Sequence, residues 1–248
     1  MPGDSLAAAL LRLPASWHGF WFDTVDSTQA AARAAASRGA ADRSLFVADF
    51  QRAGRGRQGR TWLAEPGAAL LMSILFRRHE AESRPWRFTS LAALSVLEAI
   101  EPLLTQPIAA IKWPNDIMLG DQKVAGILAE TSWNERLLQA IVGVGLNVGA
   151  APEMPDAATL AAHTDGPVDR GDVLLRIVER LDYWLLQPDD VLHQTWQGHL
   201  WRRGQRLRLV ELDREEDVVI LGVRPDGSLE VQRADGSTYV TTTGELLA

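Results

Sequence analysis

The apolar and polar positions of this chain recur in periods that sort it into strands and helices. Residues 20–25 read as a strand and residues 45–50 as a second. Between them lies an alanine-rich stretch. Asp26 or Ser27 can cap it, which predicts a helix to Ser37 that stops at Gly39. Residues 69–76 form an apolar run of a length that suits a buried strand better than a helix. Further on, Leu91, Leu94, Leu97, Ile100 and Leu103 recur every three residues with Leu104 beside the last, the signature of one amphipathic helix over residues 85–104. Three more strands follow at Ala109–Lys112, residues 123–131 and Leu137–Asn147, with turns at Gly120-Asp121 and Asn134-Glu135. After a loop over residues 149–171, Val173, Leu174, Ile177, Val178, Leu181 and Trp184 mark another helix. From Gln205 the pattern changes to short β runs with turns at residues 225–227 and 235–236, a small β-barrel or sandwich of about 45 residues.

Composition narrows the function classes. The chain has 248 residues, 46% hydrophobic and 23% charged, as an ordinary globular protein has. It contains no cysteine, which excludes disulfide scaffolds, zinc–thiolate sites and thioester mechanisms and fits a reducing cytoplasm. The apolar run at residues 6–11 is short and follows Asp4 with no basic leader, so no signal peptide is expected, and no run reaches the roughly 18 apolar residues of a membrane span. The five histidines show no metal-ligand spacing. A net charge of −7 argues against nucleic acid as the main partner. Against that acidic background Arg52, Arg55, Arg57 and Arg60 form a local cationic loop, which suggests a small anion. All but two of the 25 basic residues are arginine, and the exceptions are Lys112 and Lys123. Arginine is a wide planar fork and lysine a compact point charge, so a tight site can require one and reject the other.

The arginine loop imitates two nucleotide motifs. Gly54, Gly56 and Gly59 fit the dinucleotide fingerprint, and residues 54–61 nearly fit a P-loop with Arg60 in the lysine position. Both motifs need a helix N-terminus directly after the glycines. Here Pro66 and Gly67 intervene and a strand follows. The reading that survives is a strand-to-strand loop whose glycines let the backbone approach a ligand and whose arginine forks face carboxylate or phosphate oxygens.

The lysines frame a second segment, Lys112-Trp113-Pro114-Asn115-Asp116 leading to Lys123-Val124-Ala125-Gly126-Ile127-Leu128. Trp113 is a costly residue for a solvent-facing turn, and Gly126 inside an apolar strand marks close approach of a ligand or another backbone.

Residues 51–60, 112–116 and 123–128 together resemble the three signature segments of the catalytic domain of biotin–protein ligases. Asp26-Ser27-Thr28 and Gly143-Val144-Gly145-Leu146-Asn147 resemble further family segments in the same order. The resemblance implies an α+β fold, with a mixed, class II aminoacyl-tRNA synthetase-like sheet, flanking helices and a small C-terminal β-barrel. The expected domains are 1–201 for catalysis and 202–248 for the barrel, with Trp184, Trp196 and Trp201 packing at the junction. It further implies an ATP-dependent ligase that forms biotinyl-5′-AMP and transfers biotin to a lysine of a carboxylase carrier domain. By similarity Ser27, Thr28, Gln51 and Lys123 contact biotin. Gln29 stands where the family commonly has asparagine and is grouped with the ligand-binding residues. Arg55, Gly56 and Arg57 belong to the loop that closes over biotin and adenylate, and Lys112, Asn115 and Asp116 lie on the nucleotide side. Lys123, Arg57 and Asp116 are the expected catalytic residues, with Asp116 also the expected Mg²⁺ ligand and a candidate proton acceptor. Only about 26 residues precede Ser27, too few for the winged helix of regulatory members, so an enzyme without DNA or membrane partners is expected. A homodimer stays open. The rival readings are a lipoate–protein ligase and a non-catalytic biotin sensor.

Overall fold

The longest apolar runs of the sequence pair with each other at the centre of the molecule. The computed structural model describes residues 6–79, 85–134, 137–150, 156–212 and 214–247. Its main sheet contains β1 (His18–Val25), β2 (Ser44–Gln51), β3 (Ala69–His79), β4 (Ala109–Lys112), β5 (Asp116–Leu119), β6 (Gln122–Asn134) and β7 (Leu137–Asn147), in the order β1-β2-β3-β7-β6-β5-β4. β1 and β2 run parallel across α2 (Thr28–Ser37), and the other neighbours are antiparallel. Alternation along the strands then decides which helix covers which face. Phe46, Leu75 and Ile141 pack with Ala32 and Ala36 of α2. Their neighbours Leu45, Ile74 and Val142 point the other way, into the larger core with α3 (Pro85–Ile100).

Behind α3 lie α4 (Arg170–Leu185) and α5 (Asp189–Gly198), and α1 (Leu6–Leu10) packs against α4. The C-terminal strands β8 (Arg206–Glu211), β9 (Arg214–Val223), β10 (Leu229–Gln232), β11 (Thr238–Thr241) and β12 (Glu245–Leu247) form a second, antiparallel sheet in the order β11-β10-β9-β8-β12. Its inward residues Leu207, Leu209, Ile220, Val231 and Leu246 join the same hydrophobic cluster as the main sheet. Trp113 is 1% exposed and donates from Nε1 to the Gly227 carbonyl at 3.0 Å, which ties the lysine hairpin to this second sheet.

Several expected elements shift. The helix from Pro85 ends at Ile100 and continues as a 3₁₀ turn, Glu101–Leu103, because Pro102 has no N–H to extend the α ladder. β5 is a strand in its own right, and α5 was not foreseen, since its ten residues carry few apolar side chains, of which Leu192 and Trp196 are buried. Trp196 is fully buried beside Trp86, and Trp201 donates to the Gly120 carbonyl at 2.9 Å. Trp184 instead lies between helices, donating to Glu98 of α3 at 3.0 Å. The expected turn at Asn134-Glu135 extends outside the described residues. Among those residues no helix is long and apolar enough to cross a membrane.

One buried charge holds α4 to the sheet. Arg170, at the start of α4, is 5% exposed; it meets Asp49 Oδ1 at 2.6 Å and donates to the Ala69 carbonyl at 3.2 Å. Trp21 Nε1 donates to the other oxygen of Asp49 at 2.8 Å. Removing one partner of a buried pair typically costs about 3–5 kcal/mol. Asp49 keeps Trp21 and some solvent, so Arg170→Met is expected to cost about 2–3 kcal/mol by the same reasoning. Urea unfolding measures this directly, and an unchanged midpoint would show that the pair does not hold the helix.

Candidate functional site

The site begins where β1 ends. Ser27 occupies the N-cap of α2 in extended conformation, yet its hydroxyl makes no capping hydrogen bond and is buried without a partner. A hydroxyl in that condition is destabilising unless a ligand satisfies it. Thr28 is fixed from the side: its N–H donates to Gln51 Oε1 at 2.7 Å, and its hydroxyl lies 3.0 Å from the same oxygen and 2.8 Å from Ser73 Oγ. Ser73 in turn donates to Gln29 Oε1 at 3.0 Å, while Gln29 Nε2 donates to the Ile141 carbonyl at 3.0 Å and, more weakly, to that of Leu128 at 3.4 Å. This buried chain sets the positions of Thr28 and Gln51 to within hydrogen-bond tolerance and joins α2, β2, β3, β6 and β7 in one floor.

The glycine–arginine loop follows β2. As its Pro-Gly punctuation predicts, no helix comes after the glycines. Residues 54–62 instead form a narrow hairpin, closed by Gly56 N–H to the Arg60 carbonyl at 2.7 Å and Trp62 N–H to the Gly54 carbonyl at 3.0 Å. One 3₁₀ turn, Arg57–Gly59, makes its tip, with Gln58 at φ 54°. Two arginines leave the loop for fixed partners. Arg57 Nη1 donates to Asn115 Oδ1 at 3.1 Å, and Arg60 pairs with Glu245 of β12 at 3.1 Å. Burial lowers the Arg57 pKa from its usual value and the nearby negative charge of Asp116 opposes that shift; a guanidinium remains charged at neutral pH regardless.

The lysine hairpin forms the opposite wall. Lys112 ends β4, followed by a cis Trp113–Pro114 bond, and pairs with Asp116 at the start of β5. Asn115 is held by its side-chain N–H to the Ile127 carbonyl at 2.7 Å. Lys112 Nζ lies 5.3 Å from the centre of the Trp201 ring, over its face. The register of β5 against β6 slips between Ile117 and Met118, so that Val124 is an extra residue in the ladder. In an unbroken strand, residues 123 and 126 would face opposite sides. The bulge puts them on one side: a Cβ at Gly126 would stand 3.1 Å from Lys123 Nζ and 3.1 Å from the Trp62 ring. The close approach expected at Gly126 is therefore made by the head of Lys123 itself and by Trp62. The Lys123 main chain is clamped as well, donating to the Asp156 carbonyl at 2.7 Å and accepting from Ala158 N–H at 2.8 Å. Its Nζ sits 2.7 Å from Asp116 Oδ1, outside hydrogen-bonding directions, so that oxygen is buried and paired by charge alone.

These walls enclose a cavity of about 270 Å³. Ser27, Thr28, Gln29, Gln51, Arg55, Gly56, Arg57, Lys112, Asn115, Asp116 and Lys123, the residues singled out from sequence, all line it. Four further contributors were not assigned. Trp62 lies on the sheet, where a Cβ at Gly145 would come within 2.4 Å of its ring. Asn147 donates to the Ala158 carbonyl at 3.1 Å and leaves a buried Oδ1 unpaired in the wall. Ser73 supplies the relay, and Glu245 brings the second sheet to the rim. A tryptophan in a Gly-Pro loop, a serine inside an apolar run and an asparagine ending one are the available signals.

The comparisons fit this geometry. A model of the biotin/lipoate A/B protein ligase family matches residues 21–147. The chain is 34% identical to a biotin–[acetyl-CoA-carboxylase] ligase of Mycobacterium tuberculosis, an alignment covering 89% of this chain and 85% of the relative. It is 30% identical to the bifunctional ligase/repressor BirA of Bacillus subtilis, over 88% of this chain and 70% of that one. Among solved structures, the biotin protein ligase of Aquifex aeolicus in complex with biotin and ATP superposes with a TM-score of 0.77 at 28% identity, over 92% of this chain and 97% of that one.

Proposed function

Because this chain belongs to the biotin/lipoate A/B protein ligase family, we propose that this cavity binds biotin against the Ser27–Gln51 floor and ATP along the Lys112–Asp116 wall, with Lys123 between them. The protein is an ATP-dependent biotin–protein ligase. The carboxylate oxygen of biotin attacks the α-phosphorus of ATP, the bond to the leaving pyrophosphate breaks, and biotinyl-5′-AMP forms. The amine of a carrier lysine then attacks the acyl carbon, AMP leaves, and an amide results. The observation that carries the assignment of roles is the convergence of unsatisfied groups in one cavity. Ser27 Oγ, Asn147 Oδ1 and Trp62 Nε1 are buried without partners, beside a cluster of arginines and lysines.

The chemistry explains why the cations gather there. A carboxylate and a triphosphate repel each other, and negative charge builds up on the departing oxygens. Lys123, held from its main chain, would receive the biotin carboxylate; Arg55 and Arg57 would neutralise the α-phosphate, with Lys112 towards the leaving pyrophosphate. A preorganised donor at such a point is worth roughly 10²–10³ in rate. The carrier lysine has a reference pKa of about 10.4 and must lose a proton to react; Asp116 is the acceptor we assign. The donor set also bears on Mg²⁺. Among the described residues no three His, Cys, Asp or Glu side chains gather to hold a metal alone, but the buried Asp116 Oδ1, which accepts no hydrogen bond, would fit one position in a shell otherwise made of phosphate and water oxygens once the Lys123 ammonium, 2.7 Å away, turns to the substrate. Bound there, Mg²⁺ would supply neutralisation of the phosphate charge. We place the boundary between the catalytic part and the C-terminal sheet at Trp201–Arg202 and the enzyme in the cytoplasm, in keeping with its lack of cysteine.

Exchange of labelled pyrophosphate into ATP tests the substrate. Biotin is expected to drive it, while lipoate and octanoate do so at least about a hundredfold less, on the scale by which a site built for polar groups rejects a ligand without them. Strong lipoate-driven exchange with no response to biotin would overturn the assignment.

A further inference from the structure

Lys123 already has an anion. Its Nζ stands 2.7 Å from Asp116 Oδ1, with the lysine side chain 35% and the aspartate 21% exposed. The contact has the distance of an ion pair but not the direction of a hydrogen bond, and Oδ1 has no other hydrogen-bond partner. A pair joined by charge without alignment is one that a better-aligned carboxylate displaces, since the directed bond adds to the Coulomb attraction. Room for such a rival exists on the pocket side. The space beside Gly126 is filled by Nζ and the Trp62 ring, where a Cβ would stand only 3.1 Å from each, so a rival reaches the ammonium from the cavity that Lys123 lines. Asp116 also lies near the half-buried Arg57 guanidinium, whose charge it stabilises. One carboxylate therefore serves two cations of the reaction centre.

We propose that Asp116 is a built-in stand-in for the substrate carboxylate: it occupies Lys123 in the free enzyme and competes with biotin for it. The proposal rests on the reading that Lys123 receives the biotin carboxylate. Its consequence runs against intuition for a residue of the site. Asp116 weakens the binding of the acid it helps to activate, because biotin must take over a lysine already paired and then sit beside a second negative charge. What the enzyme gains is a free state in which Lys123 and Arg57 keep their places without a ligand, so that the donors need no reorganisation when the acid arrives.

The test is calorimetric binding without ATP, comparing biotin with biotinamide, its uncharged carboxamide. Asp116→Asn is expected to tighten biotin about fivefold to tenfold, the scale of a partly exposed ion pair, and to leave biotinamide unchanged. Asp116→Ser, a smaller neutral side chain, is expected to act in the same direction. Wild-type affinity for biotinamide certifies an intact pocket in each variant, so a folding defect cannot imitate the result. Lys123→Gln should bring biotin down to the level of biotinamide, and adding Asp116→Asn to it should then change nothing. If Asp116→Asn leaves the ratio of biotin to biotinamide affinity as it was, or lowers it, while Lys123→Gln abolishes the preference, the competition is refuted and the role of Lys123 stands. If Lys123→Gln leaves the preference intact, the role of Lys123 fails, and the proposal with it.

Discussion

Replacing Lys123 with arginine, a change that keeps the charge, is expected to slow adenylate formation by at least about a hundredfold, the scale of a misplaced preorganised donor. The reason lies in the space around the ammonium. Its main-chain N–H and carbonyl are both held by residues 156–158, and its head is bounded by Asp116 at 2.7 Å, the Trp62 ring and the backbone of Gly126. A guanidinium is planar and wider than an ammonium, and it can neither enter that space end-on nor shift its strand to gain room. Lys112→Arg is expected to lose less, because Lys112 rests over the face of Trp201, on which a planar guanidinium can also stack. Arg208→Lys, on the exposed face of β8 beside Glu215, is the control and should be silent. Biotin-dependent pyrophosphate exchange measures all three. Equal rates throughout would mean that the two lysines are an accident of an arginine-rich composition.

Gly145→Ala is expected to lower kcat/KM by about a hundredfold without destabilising the protein. The new Cβ would fall 2.4–2.7 Å from three atoms of the Trp62 indole. A rigid ring cannot yield as a flexible side chain does, so Trp62 must leave the sheet and draw the loop with it through its bond to Gly54. Displacing a positioned group by about 1 Å can cost on the order of 10² in rate. The backbone at Gly145 is not in the left-handed region, and alanine is no worse than glycine in a strand, so the melting temperature should hold within a degree or two by the usual scale of surface changes. A large loss of stability together with activity would show instead that the glycine serves the sheet and not the tryptophan.

What the sequence made legible depended on distance along the chain. The limits of Ala109–Lys112 and Leu137–Asn147 coincide with the observed strands, because alternation and turn residues are local signals. The arginine loop and the lysine hairpin were legible for a similar reason, since each is contiguous, whereas Ser27, Thr28, Gln29 and Gln51 were singled out only through the family resemblance. The contacts that cross the fold were not. Nothing near Trp113 in sequence announces that its indole N–H will reach Gly227, and nothing near Arg60 announces Glu245. Trp62 carries no local signal of where in the site it stands. Its place on Gly126 and Gly145 requires knowing that β6 and β7 lie side by side, with those two glycines in register. The segment after residue 149 reads as a loop, yet its residues 156–158 grip the main chain of Lys123.

The extra residue in β6 has a meaning for how such a site can change over time. Because Val124 is inserted in the ladder, the side of the sheet on which Lys123 stands depends on a count of residues as well as on their kinds. Deleting one residue there would leave every signature letter present and yet turn the lysine toward the opposite face. The strand therefore carries its instruction as odd or even, a parity that substitution cannot alter and a single insertion or deletion reverses. Lineages derived from this chain can exchange many neighbours of Lys123, but they are expected to lengthen or shorten this hairpin only in steps that preserve that parity.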